Sequence, residues 1–222
     1  MATAFAASRP LQVVDDIAAE STSLGLKTIW NKFANGEKPR ILDLGPARQA
    51  KVEYFQLQRS CQLRFNDLSE VVVRAHKNRL KQTSASRKKS KKKRQGTEFE
   101  RLNLSDHMHC ARDAQFDLIL AWDFVNYLSR SQIAELAREL GHYCCKGTLL
   151  HVFVANTATM PKKPAEFSIL ENDRIKLDSD HEVVASPRHA PTTIMSNMDK
   201  FQVMHMYQLA NGYHEHLYDF KP

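Results

Sequence analysis

Residues 116–128 read Phe-Asp-Leu-Ile-Leu-Ala-Trp-Asp-Phe-Val-Asn-Tyr-Leu. An apolar run of strand length, bounded by acids at Asp117 and Asp123, has the pattern of a buried strand that ends in a loop. The same design recurs outward from it. Arg40-Ile-Leu-Asp-Leu44 stops at Gly45, and Cys61 to Phe65 stops at Asn66-Asp67. Thr148 to Val154 is a further buried strand and Phe99 to Leu104 a weaker one. The stretches between have helical spacing: Val52, Phe55 and Leu57 within Ala47 to Arg59, then Leu68 to Leu80. In Ser129 to Cys144, Ser129 or Ser131 caps a stripe of Ile133, Leu136, Ala137 and Leu140, and Gly147 stands at a helix-ending position. Strands alternating with helices predict a parallel sheet covered on both faces.

Both ends depart from that alternation. Apolar periodicity from Leu11 to Phe33 predicts one or two amphipathic helices, interrupted near Ser21 to Gly25, and Asn35-Gly36 and Pro39 stop them. At the other end, Phe201 to Leu209 and Tyr213 to Phe220 flank Ala210-Asn211-Gly212. Asn-Gly predicts a hairpin through a type I′ turn, in which both central residues need positive φ. Phe167 to Leu170 and Ile175 to Leu177, around Asn172-Asp173, form a second expected hairpin.

The 222 residues suit one domain, and 42% hydrophobic with 26% charged residues exclude wholesale disorder and a fibrous repeat. The longest apolar run, Thr148 to Ala155, is far below the roughly 18 residues of a membrane span. Met1 to Ser8 lacks a secretory signal pattern. The four cysteines, Cys61, Cys110, Cys144 and Cys145, lack paired spacing, so a reduced, cytoplasmic protein without a membrane partner is expected. The net charge of +7 is local. Lys77 to Arg94 holds ten basic residues and no acid, and without them 22 basic residues face 25 acidic ones, a net of −3.

Four stretches together resemble the class I S-adenosylmethionine-dependent methyltransferases, from about Pro39 to Phe220. Ile41-Leu-Asp-Leu-Gly45 resembles the first motif, which receives the methionine end of the cofactor. Asp67 matches the acid that holds the ribose hydroxyls. Phe116 to Leu128 is close to the fourth-strand signature with its exit loop. Lys146-Gly-Thr-Leu-Leu150 resembles the turn into the fifth strand, and the closing hairpin resembles the sixth and seventh. The resemblance implies a Rossmann-like three-layer sandwich, a mostly parallel seven-stranded sheet ending in an antiparallel hairpin. Residues 1–38 would form a helical cap over the crevice and 39–222 the methyltransferase-like domain, with a basic insertion at 81–95.

The cofactor implied is S-adenosylmethionine. Asp43, Leu44, Gly45, Pro46, Ala47, Asp67, Leu68 and Trp122 would contact it, with Asp106 near the adenine. Ligands of open α/β sheets bind outside the carboxyl ends of the strands, where the strand order reverses. The family's G-x-G-x-G is here Gly45-Pro46-Ala47-Arg48-Gln49, with one glycine. Ala47 is tolerable if its φ stays negative, and Gln49 either projects away or bonds the cofactor. Two readings remain: a working variant of the loop in a methyltransferase of unidentified acceptor, or a silent domain that binds a partner such as RNA.

No Gly-x-Ser-x-Gly elbow and no lysine-bearing phosphate loop is present, so a serine hydrolase or a P-loop nucleotidase finds no support. Asp123 is the candidate general base, with Trp122 and Tyr127 as pocket walls; the alternative is that Asp123 caps a turn. Arg87-Lys-Lys-Ser-Lys-Lys-Lys-Arg94 is the candidate contact for nucleic acid or another polyanion, or else a solvated insertion. Its place after a helix sets it away from the crevice. His107, His109, Cys110, His214 and His216 lack the spacing of a structural metal site, so no metal is expected.

Overall fold

The computed structural model describes residues 20–34, 36–88 (backbone alone for 82–88), 101–170, 173–178 and 182–222. Leu11 to Ala19, most of the basic tract and Phe99-Glu100 lie outside the described residues.

Strand β1 (Ser21–Thr22) leads into helix α1 (Leu24–Lys32). Ser23 caps that helix, its Oγ accepting from Leu26 N at 2.9 Å. Gly25, Leu26 and Ile29 form the buried face of α1. Then follow β2 (Arg40–Asp43), α2 (Gln49–Val52) continued by a π-helical turn (Glu53–Gln58), β3 (Gln62–Phe65) and the long α3 (Ser69–Lys88). The expected helix over 47–59 and the strands on either side are therefore present. Next come β4 (Phe116–Leu120), α4 (Arg130–Gly141) and β5 (Cys144–Ala155). Four short strands follow, β6 (Thr159–Pro161), β7 (Glu166–Ile169), β8 (Arg174–Asp178) and β9 (Val183–Ala185), with α5 (Pro191–Met195) behind them. The last two strands are β10 (Phe201–Gln208) and β11 (Tyr213–Phe220).

The main sheet has the order β10-β11-β5-β4-β2-β3. β3, β2, β4 and β5 run parallel, whereas β11 lies antiparallel to β5 and β10 to β11. From β2 the chain steps outward to β3 and then back across β2 to β4. The order therefore reverses between β2 and β4.

Among the described residues the main sheet has six strands, where seven were expected. Arg101 to Asn103 belongs to no strand, and Asn103 turns left-handed (φ 49°) into a 3-10 turn, Leu104–Asp106. Leu102 N and Asn103 N donate instead to the Glu135 carboxylate on α4, at 3.0 and 2.8 Å. A side chain takes the donors that a ladder would have used.

Two boundaries also shift. Helix α4 opens with a capping box between Ser129 and Gln132 and ends at Gly141, ahead of the expected Cys144. Gly147 (φ 86°) marks an irregularity within β5, where Thr148 Oγ1 accepts from Cys145 N at 2.9 Å and donates to Phe116 O at 2.7 Å. The closing hairpin forms with a different turn. Only Gly212 (φ 78°) is left-handed, and Leu209 N donates to Tyr213 O at 2.8 Å across the residues 210–212. That is the three-residue loop with a glycine bulge rather than type I′.

The expected 167–177 hairpin is β7–β8, and β1 adds to β8 to make a three-stranded sheet. Asp173 ties it to the main body. Its Oδ1 accepts from Tyr54 Oη at 2.5 Å and from Arg59 at 3.0 Å, and the Arg59 guanidinium lies 4.8 Å from the Trp30 ring centre. No helix among the described residues is long and apolar enough to cross a membrane.

Gly25 is set by close approach. A Cβ there would lie 2.6 Å from Glu215 Oε1 and 2.8 Å from His151 Nε2, both fully buried. Gly25→Ala should lower stability by about 1–3 kcal/mol in urea unfolding, because neither neighbour has room to retreat. Gly141→Ala, whose Cβ would meet only Phe220 at 3.6 Å, should leave stability unchanged or slightly raised.

Candidate functional site

A cavity of about 620 Å³ opens where the strand order reverses. Its walls are the exit of β2 (Asp43, Gly45, Pro46), Asp67 beyond β3, Trp122 and Phe124 beyond β4, one face of α3, and residues 163–167. Of the expected cofactor contacts, the structure brings Asp43, Gly45, Pro46, Asp67 and Trp122 together here.

Strand β2 delivers Asp43 into the protein and not into solvent; it is 1% exposed. Its Oδ1 accepts from Gly45 N at 2.8 Å, closing the turn, and its Oδ2 accepts from Lys51 Nζ at 2.7 Å. Lys51 is the residue that sequence reasoning missed. It is itself 4% exposed, and its ammonium lies 5.0 Å from the Trp122 ring centre. A Cβ on Gly45 would meet Asp43 Oδ1 and Lys51 Nζ at 3.2 Å, so glycine lets the turn close over the pair. Further along the loop, Ala47 keeps out of the left-handed region and is exposed. Gln49 projects away and donates to Glu53 at 2.7 Å, and Arg48 pairs with Glu166.

Asp67 is exposed at the cavity. Its Oδ1 accepts from Ser69 N at 2.8 Å at the start of α3. The neighbouring Asn66 is buried and fastens the next loop, donating to His107 O at 3.0 Å and accepting from His109 N at 2.6 Å.

The Trp122 indole is fixed from behind. Its Nε1–H donates to His151 Nδ1 at 3.0 Å. An indole only donates, so Nδ1 accepts, and Nε2 carries the proton offered to Glu215 Oε1 at 2.7 Å. Glu215 also accepts from Ser23 Oγ and from Gly25 N, the latter at 3.0 Å. Both His151 and Glu215 are fully buried. Burial pushes the Glu215 carboxyl up, but the hydrogen bonds from His151, Ser23 and Gly25 outweigh it and hold the group below its ordinary value. A histidine inside the apolar run Leu149 to Ala155 was the sequence signal for this network, since a buried polar side chain needs partners. Phe167 of β7 lies 5.7 Å from Trp122 and stacks on Phe153 at 4.4 Å, which seats the β7–β8 hairpin on the cavity floor.

The other expected contacts lie elsewhere. Leu44 and Leu68 are core residues that link strand ends through backbone bonds, Leu44 N to Leu120 O and Leu68 N to Leu44 O. Ala47 stands outside the cavity wall, and so does the exposed Asp106. Asp123 is not a surface base. It is fully buried in a left-handed conformation (φ 63°), accepting from Ala165 N at 2.7 Å and from Asn126. Burial pushes its carboxyl up to about 7, with the Ala165 and Asn126 bonds acting against the rise. Its role in the structure is to fasten the 163–167 wall to the exit of β4. Tyr127 is likewise buried and donates to Pro161 O at 2.7 Å.

No protein-family model matches the chain, and no curated protein matches it. The similar solved structures include several S-adenosylmethionine-dependent methyltransferases. One is the 1,6-didemethyltoxoflavin-N1-methyltransferase of Burkholderia thailandensis, bound to 1,6-didemethyltoxoflavin and S-adenosylhomocysteine. It is 10% identical over 90% of this chain and 78% of its own, with a TM-score of 0.46. Another is the N-methyltransferase NodS of Bradyrhizobium japonicum with S-adenosylhomocysteine, 14% identical over 89% of this chain and 85% of its own, TM-score 0.46. A third is the glycopeptide N-methyltransferase MtfA with S-adenosylhomocysteine, 11% identical over 89% of each chain, TM-score 0.47.

Two outcomes test this geometry. Lys51→Ala leaves the Asp43 charge buried without its partner and should cost about 3–5 kcal/mol in denaturant unfolding, most of it recovered in the double variant Asp43→Asn/Lys51→Met. A carboxyl with a raised native pKa binds a proton on folding between its unfolded and folded values, so its contribution to stability grows as pH falls from 8 to 5. The stability of wild type minus that of Asp123→Asn should therefore increase over that range. Parallel stability curves would mean that Asp123 is ionised in both states.

Proposed function

We propose that the protein binds S-adenosylmethionine in this cavity and transfers its methyl group to an acceptor. The observation that carries the reading is the convergence of the Gly45 turn, Asp67 and Trp122 on one cavity at the strand-order reversal, where open α/β sheets bind ligands. The residues present fit the cofactor. Among the described residues Asp67 Oδ2 has no hydrogen-bond partner, and Asp67 is exposed at the cavity, as a ribose diol requires. Gly45 lets the turn at the end of β2 close tightly over the Asp43–Lys51 pair, beside the cavity.

When bound, the cofactor supplies an electrophilic methyl on a sulfonium. The chain's contribution is to orient and enclose. The Trp122 ring, locked by His151 and Glu215, forms a rigid wall, and Phe167 of β7 packs 5.7 Å from it on the cavity floor. Alignment of the two reactants supplies most of what a methyl transfer needs, and a general base matters only when the acceptor must lose a proton. With Asp123 buried, catalysis by positioning is the mode these residues support.

Calorimetric titration with S-adenosylhomocysteine should show micromolar binding, and Asp67→Ala should weaken it by about 1–2 kcal/mol, roughly tenfold. No heat and no thermal shift with wild type would replace this reading by a domain that keeps the fold without the cofactor. Unchanged affinity in Asp67→Ala would remove the ribose assignment alone.

A further inference from the structure

The cations that line the cavity differ in whether their charge is already met. Lys51 is paired with Asp43 and Arg48 with Glu166, and Lys81 is engaged in interactions of its own. Three remain: Arg74 and Lys77 on α3, and Lys163 on the wall that the Asp123–Ala165 bond fastens. Among the described residues no carboxylate pairs with any of these three, whereas the adjacent Lys162 pairs with Glu182. Arg74 contacts His107 Nε2 at 3.5 Å, which occupies at most one of the five guanidinium N–H groups. Arg74 and Lys77 stand three residues apart on α3, so they share one face of the helix over about 4.5 Å of its axis. That spacing matches a single acid group and not a chain of phosphates. Of the acids, Asp67 and Glu70 also line the cavity and are exposed. Asp67 is assigned to the ribose, which leaves Glu70 alone against three cations. A cleft lined mainly by one sign of charge concentrates ligands of the other. The cavity, about 620 Å³, has the size of a small-molecule site, roughly 300–1,000 Å³.

We propose that the methyl acceptor is a small molecule bearing a carboxylate or a phosphate, and that Arg74, Lys77 and Lys163 hold this acid group. The inference rests on the proposed methyl transfer for making the bound acid an acceptor; the anion site itself stands on the three cations. Neighbouring cations lower the basicity of an acid group, so the group they hold is a poor nucleophile. It serves as the handle, and a second, uncharged nucleophilic atom of the same molecule reacts. The lone pair of that atom forms the bond to the methyl carbon as the carbon–sulfur bond breaks. The electron pair of the broken bond passes to sulfur, which leaves as a thioether, and a proton on the acceptor atom passes to water.

The test titrates wild type and K77Q/K163Q with benzoate, succinate, phenyl phosphate and glycerol 3-phosphate, and with the uncharged counterparts benzamide, succinamide, phenol and glycerol. Calorimetry at low salt, where exposed charges are least screened, reads the affinities with and without S-adenosylhomocysteine. Neither substitution touches a residue assigned to the cofactor, and matching thermal unfolding confirms the fold. At least one acid should bind wild type, and its uncharged counterpart and the double variant should each bind about tenfold more weakly. Binding confined to the carboxylates, or to the phosphates, supports the proposal and names the acid. An uncharged counterpart that binds as tightly as its acid would overturn it. So would unchanged affinity in K77Q/K163Q, or no binding of any of the four acids to wild type. Titration with S-adenosylhomocysteine alone separates the two readings. Wild type that binds it but none of the acids keeps the cofactor and loses this inference. Wild type that binds an acid but not S-adenosylhomocysteine keeps the anion site and loses the methyl transfer, and with it the acceptor role.

Discussion

A carboxylate without exposed surface has to be met by donors on each side, and Glu215 organises the interior on that condition. Its donors come from three separate parts of the chain: Ser23 and Gly25 at the start of α1, and His151 in the middle of β5. Ser23 serves twice, since the same oxygen that contacts Glu215 accepts from Leu26 N and caps the helix. Docking α1 on the sheet, starting that helix and orienting the histidine are one requirement. Through His151 the requirement reaches Trp122, and across the Trp122 ring it reaches Lys51, Asp43 and the Gly45 turn. The cavity wall is thus held by a buried polar chain that begins at α1 and runs along one face of the sheet.

Local patterns in the sequence carry the parallel strands, because β2, β4 and β5 are apolar runs whose period and bounding residues are readable in short windows. The edge strand expected at 99–104 has no such independence. Whether Leu102 and Asn103 pair with a neighbour or with a carboxylate depends on Glu135, more than thirty residues later, and no local window contains that choice. The closing hairpin divides the same way. Asn211-Gly212 announces the reversal, but the turn type is settled by where Tyr213 resumes pairing with Leu209.

The site follows this division between local and distant causes. Asp43, Gly45, Pro46, Asp67 and Trp122 stand at strand ends, so reading the strands correctly placed them at the cavity. Asp123 also follows a strand end, yet its neighbour in space is Ala165, whose N–H draws the carboxylate inward. One residue of difference in direction converts a candidate base into the anchor of a wall. Lys51 is hidden in sequence for the opposite reason. A lysine in a short helix is ordinarily solvated, and only the packing of that helix over the Gly45 turn turns its ammonium toward Asp43.

The Lys51–Asp43 pair also decides what field a ligand meets. Alone, Asp43 would place a bare negative charge under the turn, and Lys51 alone would oppose any cation brought beside Trp122. Paired at 2.7 Å and nearly buried, they leave that end of the cavity close to neutral. Farther out, Arg74 and Lys77 of α3 have no carboxylate partner among the described residues. Buried pairs are screened little by salt and exposed charges are screened strongly. The inner end should therefore keep its character across ionic strengths while the outer end loses its attraction for anions.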